Sequence, residues 1–93
     1  MSQLQEELSA GRFVATAEIA PPKGVTLEST LATASAFSGV TAVNVTDNQG
    51  ANMRMTPLAV AGMLAQSGVE PVLQLTCRDR NRMALQSDLL GAA

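Results

Sequence analysis

Histidine, tryptophan and tyrosine are absent from this chain of 93 residues, which holds one cysteine and two phenylalanines. With no histidine and Cys77 alone, a disulfide framework, a Cys/His zinc site and any histidine-based catalytic triad are excluded. Proton transfer is left to carboxylates, with Cys77 a weaker candidate. The shortage of aromatics requires an aliphatic core. Basic residues are also few: six Lys+Arg stand against eight Asp+Glu, a formal net charge of −2, which offers no electrostatic footprint for nucleic acid or an anionic membrane. The first residues have neither a basic start nor a long apolar run and include Glu6 and Glu7, so they read as neither signal peptide nor membrane span. A cytoplasmic location is expected. No GxGxxG or P-loop occurs, which leaves a Rossmann or P-loop nucleotide site without support.

What is present belongs to a folded globular chain, 46% hydrophobic and 15% charged, without low-complexity tracts. A chain this short buries little more than ~60% of the surface it exposes when unfolded, enough for one small core and not for two domains. Ser2 followed by Gln5 reads as a capping box, Leu4 and Leu8 share a helical face, and Gly11 stops the turn, predicting a helix over 3–10. Phe13–Ile19 is a strand candidate closed by Pro21-Pro22-Lys23-Gly24. Thr26 is placed to cap a second helix with Leu27, Leu31 and Ala34 on one face and Glu28 at the positive end of the dipole.

The β-branched run Val40–Val45 predicts a second strand, leading into Thr46-Asp47-Asn48 and a glycine-containing loop. Thr56-Pro57 starts a third helix with Leu58, Ala61 and Leu64 as its buried stripe and Gly68 at its end. Pro71–Leu75 reads as a third strand and Arg80–Leu90 as the last helix, ended by Gly91. Strands alternating with helices of about a dozen residues give an α/β chain of parallel βα units with right-handed crossovers.

Counting by twos, Thr16 and Glu18 share a face of the first strand, Asn44 and Thr46 of the second, Gln74 and Thr76 of the third. The other faces are apolar and suit contact with helices. Polar groups therefore gather towards the C-terminal ends of the strands, where parallel α/β folds place their sites. Glu18, flanked by Ala17, Ile19 and Pro21, is expected to be desolvated, which would raise its pKa towards that of a general acid; the alternative is a surface glutamate or one ion-paired with Lys23 or Arg12. Asp47 and Asn48 suit either a local side-chain turn or a ligand contact. The run Arg78-Asp79-Arg80-Asn81-Arg82 puts cations at a helix start, which a nearby anionic group would explain; otherwise it is a solvated end capped by Asp79 or Asn81. Cys77 is expected to be a small buried core residue, and Met53, Met55, Met63 and Met83 to fill packing gaps.

Ala17-Glu18-Ile19-Ala20-Pro21-Pro22-Lys23-Gly24, Val43-Asn44-Val45-Thr46-Asp47-Asn48, and Leu75-Thr76-Cys77-Arg78-Asp79-Arg80-Asn81 with Leu85-Gln86-Ser87-Asp88-Leu89-Leu90-Gly91 behind it resemble the N-terminal part of methylenetetrahydrofolate reductase. The resemblance covers nearly the whole chain and implies the first three βα units of a (β/α)8 TIM barrel, a fold that needs roughly 250 residues. Residues 1–93 are then expected to be the N-terminal segment of such a barrel, a partial barrel whose open edges associate with the missing strands or with further copies. The family reduces 5,10-methylenetetrahydrofolate to 5-methyltetrahydrofolate with a flavin, FAD or FMN, that NAD(P)H reduces in turn. By resemblance Glu18 matches the glutamate that assists protonation of the folate and opening of its ring to the iminium form. Thr46, Asp47 and Gln74 fall on flavin-side positions, where some members carry an aromatic residue in place of Asp47 and a histidine in place of Gln74. Two other readings are a non-catalytic association module built on a partial barrel and a flavin-free pterin-binding methyltransferase barrel.

Overall fold

Residues 2–93 are described by the computed structural model. Helix α1 (Gln3–Ser9) is followed by strand β1 (Thr16–Ile19), α2 (Glu28–Ala36), β2 (Ala42–Val45), a 3-10 turn at Gln49–Ala51, α3 (Pro57–Gln66), β3 (Pro71–Leu73) and α4 (Arg82–Ala92). The strands form one sheet in the order β1-β2-β3, parallel throughout, so the α/β class and the alternating βα order hold. Glu18 lies level with Asn44 and Val72, and Ile19 with Val45 and Leu73.

One face of the sheet is the core. Ile19, Val43 and Val45 meet Ala34 of α2 and Val60, Ala61 and Leu64 of α3, with Leu27, Leu31, Phe37, Met55 and Leu73 packed around them. Full burial of such an aliphatic side chain contributes about 1.5–3 kcal/mol, and β2, apolar on this face and central in the sheet, gains most of it. The stripe of α3 is Pro57, Val60, Ala61 and Leu64, with Leu58 half-buried beside it.

Local signals explain most element ends. Ser2 Oγ accepts from the Gln5 N–H at 3.1 Å, and both oxygens of Glu70 accept from the first turn of α1, from Gln3 N at 2.7 Å and Leu4 N at 2.8 Å. Gly11, at φ +72°, closes α1 with Gly11 N–H to Leu8 O and Arg12 N–H to Glu7 O, the paired bonds of a Schellman end. Gly68, at φ +88°, repeats this at the end of α3, with Gly68 N–H to Ala65 O and Val69 N–H to Leu64 O.

Several boundaries differ from those expected. Phe13 is 96% exposed and lies before β1, because the strand begins only where β2 offers a partner at Thr16. Thr26 does not cap α2: Leu27 occupies that position in a helical conformation without a side-chain cap, and Thr56 likewise makes no side-chain cap on α3. Gly91 lies inside α4 rather than at its end. β3 stops at Leu73, with one further ladder bond from Gln74 N–H to Val45 O. The regular alternation expected to bury Cys77 therefore ends before reaching it, and Cys77 is exposed. Met53, Met63 and Met83 are exposed rather than gap-filling, and of the four expected fillers Met55 joins the core. No helix among the described residues is long and apolar enough to cross a membrane.

Candidate functional site

The second face of the sheet carries the polar positions. Alternation from the observed register puts Glu18, Asn44, Thr46 and Gln74 on the side away from the helices, with Val72 as an apolar element among them. Glu18 is exposed and has no hydrogen-bond or ion-pair partner among the described residues. This corrects the expectations of a desolvated or ion-paired Glu18 and agrees with the alternative of a surface glutamate. Its apolar chain neighbours Ala17 and Ile19 point to the opposite face, so they do not desolvate it, and Arg12 pairs instead with Glu7 at 3.1 Å. Asn44 Nδ2 donates to Thr16 Oγ1 at 3.1 Å and to Ala17 O at 3.2 Å, which fixes its amide against β1. Thr46 is 4% exposed, and its backbone N–H reaches Ile19 O at 3.1 Å while its hydroxyl lies 3.5 Å from the same oxygen. Gln74 is half-buried.

Three loops follow the strand ends, and side chains stitch them together. Arg54 Nη1 donates to Pro21 O at 2.9 Å and Met55 N–H to Pro22 O at 2.8 Å, tying the second loop to the Pro-Pro turn after β1. Asn48, in the left-handed region at φ 45°, accepts the Arg54 N–H on its side-chain oxygen at 2.8 Å, the local loop role expected for it. Its carbonyl accepts from Arg78 Nη2 at 2.9 Å, joining the second loop to the third.

Asp47 makes the strongest tie. Its side chain is wholly enclosed; Oδ2 accepts from the Thr76 N–H at 2.7 Å and from Arg80 Nη1, and Oδ1 from Arg80 Nη2 at 3.2 Å. Arg80 also donates through Nη1 to Thr76 O at 3.0 Å and through Nε to Asp88 Oδ2 of α4 at 3.0 Å. Burial pushes the Asp47 carboxyl up, but Arg80 and the Thr76 N–H outweigh it and hold the group below its ordinary value. The Thr76 hydroxyl acts in the same direction without completing a hydrogen bond of good geometry. The bond to Asp47, opposed by burial and helped by Asp88, raises Arg80 in return.

Residues 3–93 match the family described as methylenetetrahydrofolate reductase. The chain belongs to that family. No curated protein and no solved structure matches it. In this reductase-family chain, the residues of the three motifs thus fall at the C-terminal ends of adjacent parallel strands: Glu18 and the Pro-Pro turn after β1, Thr46 and Asp47 after β2, Gln74 after β3. Chemically, the open side offers one carboxylate free of partners among the described residues and two half-buried amides beside Val72, with the Thr46 hydroxyl enclosed at the strand end.

The cationic run at 78–82 resolves into separate uses. Arg80 has the anionic partner that its position called for, Arg78 pairs with Asp79 at 3.0 Å, and Asn81 is the cap of α4, its Oδ1 accepting from Ala84 N–H at 2.8 Å. Sequence reasoning missed Arg54, Glu70 and Asp88. The signal available for Asp88 was its spacing of eight from Arg80 across the helix start; for Glu70 and Arg54, whose partners lie 66 or 67 and 33 residues away, no local signal exists.

Proposed function

We propose that this chain is the part of a flavin-dependent reductase that brings the acid and part of the flavin-side rim to the reduction of 5,10-methylenetetrahydrofolate to 5-methyltetrahydrofolate by NAD(P)H. The carrying observation is the register: in a chain of this family, Glu18 stands level with Asn44, two residues below Thr46 and Gln74, on a face that no helix covers.

The residues suit a flavin, whose ring has apolar faces and a hydrogen-bonding edge: Val72 offers apolar contact, and Thr46, Asn44 and Gln74 offer hydroxyl and amide groups on the same side. Thr46 and Gln74 would hold FAD or FMN, with Asp47 behind them. When bound, the flavin supplies the hydride. Glu18 gives a proton to the folate as its ring opens to the iminium form, and the absence of a competing partner among the described residues leaves its carboxyl free to do so. Covering of this face by substrate and by further strands would exclude water from the site. β1 and β3 are both sheet edges with unpaired backbone groups, which favours association with additional strands, from a longer chain or from other copies. The same edges are the observation that favours a second reading, a non-catalytic association module.

Purified protein decides between them. Yellow protein with a flavin spectrum that is bleached anaerobically by NADH or NADPH and recoloured by methylenetetrahydrofolate supports the reductase. Colourless protein that self-associates and takes up neither FAD nor FMN leaves the association module.

A further inference from the structure

The Asp47–Arg80 network is the part of the rim to which the proposed chemistry gives no role. Its geometry is directional. Asp47 accepts the Thr76 N–H at 2.7 Å while Arg80 Nη1 donates to the Thr76 carbonyl at 3.0 Å, so one ion pair holds both backbone polar groups of Thr76. Arg80 is anchored in turn to Asp88 of α4 at 3.0 Å. A planar guanidinium can serve these acceptors at once, which a compact ammonium cannot. The Asp47 side chain is 0% exposed and both its oxygens are occupied, so it has no surface left for a ligand.

Its chain neighbours do face the site. Thr46 directly precedes Asp47, and Gln74, bonded through its N–H to Val45 O, precedes Thr76 by two positions. Fixing Asp47 to Thr76 therefore fixes the spacing between Thr46 and Gln74. We infer that Asp47 and Arg80 are positioning residues, a splint across the ends of β2 and β3 that sets Thr46 and Gln74 for the ligand, Asp47 acting through Arg80 and Thr76 and not by touching flavin or folate. The inference rests on the flavin-site reading above.

The test uses the full 93-residue chain with the variants Asp47→Asn, Arg80→Lys and Arg80→Gln. In wild type, the Thr76 amide and the Arg80 Nε–H are expected to exchange slowly with solvent. In Asp47→Asn both should exchange faster and the Thr46 and Gln74 resonances should move, while amides of α3 remain the most protected of the chain, lowered only by the loss of global stability, and show that it is folded. Equal protection in wild type and Asp47→Asn overturns the splint. In titrations with FAD and with FMN, the dissociation constant should rise on the order of tenfold in all three variants, because supporting contacts of this kind weaken a site by about that factor or more when lost. Wild-type affinity in Arg80→Lys overturns the proposal, since charge without the fork would then suffice. Failure of wild type to bind either flavin sinks the flavin-site reading and the positioning claim together, whereas a wild type that binds and variants that bind equally well sink the positioning claim alone.

Discussion

Arg80 closes on Asp47 through both terminal nitrogens, across 33 residues of chain, and the pair is nearly dry: the side chains are 11% and 0% exposed. Breaking such a pair by removing one member costs about 3–5 kcal/mol, and because Arg80 keeps its bond to Asp88 the lower figure applies. Asp47→Asn is therefore expected to lower unfolding stability at neutral pH by about 3 kcal/mol, read by urea denaturation. The pH dependence has a definite sign. The folded carboxyl lies below its ordinary value of 3.8, so its ionised form stabilises the fold fully above that value and loses this contribution as pH falls through the lowered one. The stability gap between wild type and Asp47→Asn should narrow as pH drops below about 4. A gap that stays constant down to pH 2 would contradict the assignment.

Glu70 holds α1 to the foot of the sheet. The helix buries none of its residues, so the two bonds from Gln3 N and Leu4 N to this carboxylate are its main tertiary anchor. Hydrogen bonds to a charged group contribute about 1.5–3 kcal/mol, but the ends of α1 are exposed, which places the expected effect near the lower figure. Glu70→Gln should release α1 locally: amide exchange over residues 3–9 accelerates while the amides of β2 are unchanged. Acceleration across the whole chain would show that α1 is integral to the cooperative fold.

Capping separates the two helix starts that looked alike. Asn81 bonds the Ala84 N–H at 2.8 Å, whereas Thr56 makes no side-chain cap and relies on Pro57, whose missing N–H needs none. Asn81→Ala should cost about 1 kcal/mol and Thr56→Ala only a few tenths, measured side by side by thermal or urea unfolding. Equal losses would mean that the Thr56 hydroxyl is engaged in solution.

These contrasts show which parts of the molecule could be read in advance. The order of the strands was implied by the family resemblance, whereas the parallel α/β class and the helix-facing set Ile19, Val43 and Val45 follow from the alternation of elements and from period-2 and helical patterns, which are local. The polar face was legible for the same reason. What escaped depends on partners distant in sequence: the enclosure of Asp47 by Arg80 and the anchoring of α1 by Glu70, while for Glu18 exposure was one of the readings the sequence left open. The desolvated reading of Glu18 fails because neighbours along the chain are not neighbours in space, a strand sending successive residues to opposite sides.

That same exposure makes Glu18 a clean probe. A partnerless, exposed carboxylate contributes little to the fold, so Glu18→Gln should leave unfolding stability within about 0.5 kcal/mol of wild type. If the proposed acid role holds, the substitution removes folate reduction while flavin reduction by NAD(P)H continues, and the loss cannot be assigned to misfolding. Loss of a general acid typically costs about 10²- to 10⁴-fold in rate, far beyond what a structural perturbation of this size produces. Folate turnover unchanged in a protein that still takes up flavin would place the proton donor elsewhere, and the next carboxylate to examine would have to come from outside this sheet, because Asp47 is already committed to Arg80 and Thr76.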